Sequence, residues 1–297
     1  MTLRTCMASA LTFIACAVSA AAQSLPAGLA LEVLARPVAA KFLVGEPLAV
    51  DVALVNGEPE AISAPQRLSA AGVSLLVSRD GGPMQRIRAL DVEAQLRELP
   101  EMASIAPGLR VHQRLVFDVH PVSLTPYLAE PGVYRVRVEV DPGYMSELFR
   151  IDVRRPAGRD IAALDALAAM RAEIDALPFD TVADRMNRIL ASEAAMEAYL
   201  DRFGGSTYGG YVRLDLAESL ATDYAGLRDG DLDGAAALLE SAAADEAFPL
   251  RDQALLELSN LQRSRGETAA ADRSIARLRE LSPSSPLATD RLLQRLR

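Results

Sequence analysis

The chain has 297 residues, half of them hydrophobic, with 31 basic against 40 acidic side chains, two histidines and two cysteines. Its formal net charge of −9 argues against nucleic acid or an anionic membrane surface as a partner, since both attract cationic proteins. Lys41 is the only lysine, so lysine-dependent chemistry is excluded everywhere else.

Residues 1–22 read as a cleavable signal peptide. Met1 to Cys6 carries one positive charge, Arg4, and no acid, and Met7 to Val18 is apolar and uncharged. Ser19-Ala20-Ala21-Ala22 follows, with Ala20 and Ala22 at the two small-residue positions that precede cleavage. The apolar run is shorter than the roughly 20 residues that span a bilayer, which argues against a retained anchor. Lipidation at Cys16 is the other reading of Phe13-Ile14-Ala15-Cys16, disfavoured by Phe13 where lipoboxes usually carry Leu. Cleavage after Ala22 predicts a periplasmic or secreted protein with no membrane span. Because Cys6 and Cys16 both leave with the leader, the mature chain lacks disulfides, thiolate metal sites and cysteine nucleophiles. Loss of Arg4 takes its net charge from −9 to −10.

From Leu29 to Val153 the hydrophobic period is two, as in half-buried strands. Leu48, Val50, Val52 and Leu54 alternate with Ala49, Asp51 and Ala53. Tyr134, Val136, Val138 and Val140 alternate with Arg135, Arg137 and Glu139, and Phe149, Ile151 and Val153 with Arg150 and Asp152. Turn signals such as Asn56-Gly57, Asp80-Gly81 and Pro131-Gly132 separate the runs. About seven short strands with this punctuation favour a β-sandwich. Asp91–Glu101 breaks the pattern and reads as a short helix or long loop. Val44-Gly45-Glu46-Pro47, Ala106-Pro107-Gly108 before the strand Leu109–Val119, and Pro131-Gly132-Val133-Tyr134-Arg135-Val136 together resemble extracytoplasmic immunoglobulin-like domains. The resemblance implies an antiparallel sandwich over residues 28–155.

Pro156-Ala157-Gly158 closes this region as a linker, residues 156–158, and the period becomes helical. Helices are predicted over Asp160–Leu177, where Asp160 serves as a cap and Pro178 as the stop, and over Thr181–Phe203. The pairs Gly204-Gly205 and Gly209-Gly210 mark a loop. Helical patterns resume over Tyr211–Leu227, Leu232–Asp245, Leu250–Arg265, Glu267–Leu281 and Pro286–Leu296, the last capped by Ser285. Gly230-Asp231 and Gly266-Glu267 each lie between two amphipathic helices at the same spacing. Leu255, Leu258, Ser259 and Gln262, then Ala271 and Ile275, then Pro283 resemble the tetratricopeptide (TPR) pattern. The preceding unit keeps its small residue at Ala235 and its apolar one at Leu239. The resemblance implies stacked helical hairpins over residues 159–297, so the expected fold class is multidomain β plus α, an immunoglobulin-like sandwich followed by an all-α TPR-like domain. The combination is similar to bacterial exported TPR-repeat proteins.

Asp229-Gly230-Asp231-Leu232-Asp233-Gly234, followed by Glu240, fits an EF-hand loop, with acids at loop positions 1, 3, 5 and 12 and glycine at 6. Calcium is the cofactor such a ring of carboxylates would take. The same stretch also reads as the turn between paired helices, where Asp favours helix N-termini. His112 and His120 lie on one predicted strand about 26 Å apart, too far to share a metal. Gly204-Gly205-Ser206-Thr207-Tyr208-Gly209 departs from a nucleophile elbow at Tyr208. Tyr199, Tyr208, Tyr211 and Tyr224 read as helix-packing residues.

No catalytic or cofactor-binding residue is legible. The reading is therefore a non-enzymatic protein of the cell envelope whose helical repeats bind or scaffold a protein partner, because stacked helix pairs expose a surface suited to peptide segments. A calcium-binding module and an envelope hydrolase with a carboxylate site are the alternatives. The helices at Asp160–Leu177 and Pro286–Leu296 are expected to complete the stack or dock on the sandwich.

Overall fold

A computed structural model describes residues 31–65, 73–88, 102–108, 110–117, 126–140, 143–224, 228–283 and 285–288. The leader with Ala22, Cys6 and Cys16, the segment Asp91–Glu101, His120 and residues 289–297 lie outside them. The strands are β1 (Leu31–Pro37), β2 (Lys41–Leu43), β3 (Leu48–Asn56), β4 (Ile62–Pro65), β5 (Val73–Arg79) and β6 (Gln85–Arg88), then β7 (Met102–Ile105), β8 (Arg110–Phe117), β9 (Gly132–Val140), β10 (Tyr144–Met145) and β11 (Phe149–Arg154). After them come the helices α1 (Arg159–Asp175), α2 (Val182–Phe203), α3 (Gly209–Ala221), α4 (Leu232–Ala244), α5 (Arg251–Ser264) and α6 (Thr268–Leu281), and a 3-10 turn at Pro286–Ala288. The molecule is thus a β region followed by an α region.

One sheet has the order β1-β3-β8, a larger one β2-β11-β9-β5-β6 with β10 beside β9, and β4 pairs with β7. Among the described strands the ladders are antiparallel except between β11 and β2, and Val33 of β1 makes an isolated parallel bridge to Ser146. The period of two decides which side chains meet between the sheets. Leu48, Val50, Val52 and Leu54 of β3 share one core with Val136, Val138 and Val140 of β9 and Ile151 and Val153 of β11.

β3 departs from the half-buried expectation. Its other face, Ala49, Asp51 and Ala53, is buried as well. Ala49 belongs to the helical core with Tyr211, Phe248, Leu250 and Leu255, so the α region covers part of the outer face of the small sheet. Residues that alternate small and acidic, as on a solvated face, are here an interface.

Each helix packs on the next along the chain, from α1 on α2 to α5 on α6. Ala235 and Ala271 are fully buried, Leu239, Leu255 and Leu258 share the Ala235 core, and Ile275 is buried too. A methyl group at Ala235 and Ala271 leaves room for the neighbouring helix to approach. Pro283, expected with them, is exposed. Thr181 begins α2 with a reciprocal capping box, accepting from Asp184 N at 3.0 Å while Asp184 accepts from Thr181 N at 3.1 Å.

Three local expectations change. Gly209 and Gly210 open α3 instead of forming a loop, because a Cβ on Gly209 would stand 2.3 Å from the Gly204 carbonyl oxygen and one on Gly210 2.3 Å from the Phe248 ring. Asp160 does not cap α1. It accepts from Thr207 N at 2.9 Å and Thr207 Oγ1 at 2.8 Å, tying the start of α1 to the turn before α3. The segment from Pro286 is a 3-10 turn through Ala288, and the rest of that predicted helix is outside the described residues. Ser285 does cap it, accepting from Leu287 N at 3.2 Å, and the turn packs against β8, α5 and α6.

Candidate functional site

The junction of the two regions concentrates buried charge. Arg114 of β8 grips Asp51 of β3 through Nε at 2.8 Å and Nη2 at 3.2 Å, and Asp252 of α5 through Nη1 at 2.6 Å and Nη2 at 2.9 Å. Arg36 adds a more distant charge on Asp51 at 3.7 Å. Ser285 Oγ donates to Asp252 at 2.6 Å. Burial alone would raise the Asp252 carboxyl, but the Arg114 hydrogen bonds and charge, with Ser285 and Gln253 N, hold it below the ordinary carboxylate value. A guanidinium placed between two carboxylates has little donor capacity left to offer a ligand.

A second contact links the turn before β3 to the helices. Gly45 has φ 85°, and the Leu164 side chain of α1 sits where a Cβ would be, at 2.5 Å. Tyr208 Oη donates to Val44 O at 2.6 Å, and Tyr211 Oη to Glu46 at 3.1 Å. Burial pushes the Glu46 carboxyl above its ordinary value, the Leu43 N–H and Tyr211 hydroxyl oppose that shift, and Asp160 adds to it. Tyr199, Tyr208 and Tyr211 are buried, as packing residues should be, whereas Tyr224 stays half-buried under the Arg228 guanidinium, 5.2 Å from its ring centroid.

The surface between the first three helices is different. A groove of about 470 Å³ lies between α1, α2 and α3. Leu167, Met170, Ile174, Ile189 and Met196 supply its apolar lining; Arg171, Arg185 and Arg188 bring three guanidinium groups, and Asp215 brings one carboxylate. Ser192 and Ser219 complete it. Helical spacing explains the α2 wall, since from Arg185 the next positions at three and four residues are Arg188 and Ile189, followed by Ser192 and Met196, all on one face.

The groove wall is braced from behind. Glu193 of α2 is buried, accepts from Ser219 Oγ at 2.6 Å and is ion-paired with Arg228, whose Nη2 donates to Ser219 O at 3.0 Å. Beside the groove Phe179 and Val182 are 60% and 62% exposed. Phe179 is held there: its carbonyl accepts from Arg185 Nε at 3.1 Å, and the Arg188 guanidinium stands 5.8 Å from its ring centroid. The lining has no histidine or cysteine. Its chemistry suits binding, through flexible thioether and branched side chains and guanidinium groups that pair with carboxylates. None of these groove residues stands out in the sequence, where arginines on a helix read as a solvated face; the spacing of Arg185, Arg188 and Ile189 is the only signal.

The acids of the EF-hand pattern are dispersed. Asp229, Asp231, Asp233 and Glu240 are all exposed. Asp231 caps α4, accepting from Gly234 N at 2.9 Å, and Asp233 pairs with Arg265 at 2.7 Å. Since α4 begins at Leu232 and Glu240 lies on it, the segment runs as a helix where an EF-hand loop would wrap around an ion. Among the described residues no group of three or more His, Cys, Asp or Glu side chains is placed to hold a metal. His112 lies on β8 opposite Ala53, and Ser206 is buried in the turn between α2 and α3. Among the described residues no helix is long and apolar enough to cross a membrane.

No protein-family model matches the chain, and no curated protein matches it significantly. Solved structures overlap it in part. A Pseudomonas fluorescens alkylpurine DNA glycosylase, AlkC, bound to DNA containing an abasic site analogue, is 14% identical over 43% of this chain and 31% of its own, at a TM-score of 0.29. A Listeria innocua β-glucosidase in complex with glucose is 14% identical over 41% of this chain and 16% of its own, at 0.26. The CARDB domain of PF1109 from Pyrococcus furiosus is 13% identical over 42% of this chain and 94% of its own, at 0.24. The chain spans less than a third of the two enzymes' lengths, and likenesses of this size assign neither fold nor activity.

Proposed function

We propose that this chain is a non-enzymatic, extracytoplasmic protein of the cell envelope, in which an immunoglobulin-like sandwich at residues 28–155 carries a TPR-like helical domain at residues 159–297 that binds a protein partner. The observation that carries the reading is the groove between α1, α2 and α3, with its apolar lining, its arginines and the exposed Phe179 and Val182 beside it. Exposed apolar surface next to organised charge is the usual composition of a recognition site. Residues 1–22 support export. The helix-on-helix packing, with Ala235 and Ala271 buried between neighbours, supports a repeat-like stack that presents its surface to a segment of another protein.

The test is site-specific photocrosslinking in the source cells. A benzophenone side chain at Ser192, inside the groove, is expected to give a protein adduct of reproducible mass. The same group at Arg277, exposed on α6, is expected to give none. Adducts indistinguishable between the two positions, or none from Ser192, overturn the reading.

A further inference from the structure

We infer that the segment received by the groove is acidic and amphipathic, setting aliphatic side chains against Met170, Ile174, Ile189 and Met196 and carboxylates against Arg171, Arg185 and Arg188. The inference rests on the protein-binding reading of this groove and names the class of partner.

Charge placement carries the argument. The chain is acidic, with a net charge of −9, yet the groove lining gathers three guanidinium groups against the single carboxylate of Asp215. Local enrichment opposite to the overall sign steers a partner of complementary charge toward this surface and repels a cationic one. Two of them, Arg185 and Arg188, are also half committed rather than locked. Arg188 pairs with Asp175 at 2.7 Å, and the two side chains are 28% and 44% exposed. An ion pair so exposed is weak and exchangeable, so a partner carboxylate can replace Asp175 at little cost. Arg185 is exposed and engages the Phe179 carbonyl through Nε, a single hydrogen bond that leaves other donors of its planar fork for a ligand.

The lining sets the rest of the partner's chemistry. Two methionines and two isoleucines make a surface that adapts to branched aliphatic side chains. An amphipathic helix laid in a groove offers such side chains along one stripe and keeps its acids at the edges.

The probe is a fluorescein-labelled peptide about four turns long, with Leu at positions i, i+3, i+4 and i+7 and Glu at most others; its twin carries Lys in place of every Glu. Fluorescence anisotropy with the mature chain is expected to show the Glu peptide binding at least about tenfold more tightly than the Lys peptide, and losing affinity as salt rises. The double substitution Arg185→Glu with Arg188→Glu is expected to abolish that preference. Ser192→Glu, which sets a carboxylate one helical turn from Arg188, is expected to weaken the Glu peptide by about tenfold, with the helical circular dichroism of both variants matching the parent. Equal binding of the two peptides, preference for the Lys peptide, binding to neither, or affinity unaffected by both variants overturns the inference. Crosslinks at Ser192 that persist alongside any of those results leave the groove a protein site and remove only the acidic partner; loss of both removes the two together.

Discussion

The junction and the groove of the α region use charge in opposite ways. At the junction with the sheets, Arg114 is 5% exposed and its partners Asp51 and Asp252 are 8% and 7% exposed; each carboxylate meets the guanidinium through two hydrogen bonds. At the groove, Arg185 is exposed and Arg188 half-buried beside exposed apolar side chains, paired loosely or through a backbone carbonyl. Buried charge has to be fully matched, since an unmatched group carries its whole desolvation cost. Half-exposed charge has no such requirement and stays available for exchange with a partner. The contrast separates a buried, fully matched arginine from a half-exposed, exchangeable one without any appeal to residue type.

The sharpest way to break this comparison is to remove one arginine from each of the two places. Arg114→Ala leaves Asp51 and Asp252 facing each other in a buried interface and is expected to cost about 3–5 kcal/mol. Arg188→Ala is expected to cost less than about 1 kcal/mol. Urea unfolding followed by circular dichroism measures both, and similar losses at the two positions would show that the junction and the groove do not differ as described.

Acid titration sharpens the same junction by a smaller amount. Asp252 is held below its ordinary value of 3.8, so its stabilising contribution is present above that value and is lost as pH falls through the lower folded one. Glu46 is raised above 4.5, chiefly by burial, so its contribution has the opposite sign: present below 4.5, lost as pH rises through the folded value. Asp252→Asn is therefore expected to flatten the acidic limb of a melting-temperature profile. Glu46→Gln is expected to flatten the decline above 4.5, because the uncharged amide can still accept from Leu43 N through its oxygen while its NH2 donates to the Tyr211 hydroxyl oxygen. If both variants change the same limb, the sign assignment is wrong for one of them.

How much of this was readable beforehand depends on the range of the interaction. The alternation in β3, β9 and β11 is local, and it identified the inward residues of the sheets; the burial of Ala235, Leu239, Leu255, Leu258, Ala271 and Ile275 likewise follows from helical spacing. What covers the outer face of β3 was not readable. The Arg114–Asp252 contact joins residues 138 apart, and Asp51 read alone resembles any solvated strand residue. The glycine pair at Gly209-Gly210 misled for a related reason, since its cause is the approach of the Gly204 carbonyl and the Phe248 ring rather than local turn geometry. The groove was invisible because three helices must assemble before Met170, Arg188 and Asp215 become neighbours.

The smallest effect belongs to the acidic turn before α4, which two descriptions fit equally well on paper. As a helix N-cap, Asp231 satisfies the Gly234 N–H at 2.9 Å, and Asp231→Ala is expected to cost about 1 kcal/mol. That loss has no calcium in it: the helix-terminal N–H groups need an acceptor whether or not an ion is present. The difference in stability between parent and Asp231→Ala is therefore expected to be identical in chelator and in millimolar calcium, the weak range of extracellular sites. Asp233→Asn, which touches only the exposed Arg265 pair, serves as the control and is expected to change stability by less than about 0.5 kcal/mol. A calcium-induced rise in melting temperature that both substitutions remove would instead mean that the turn closes around an ion, and that the cap is only its unliganded form.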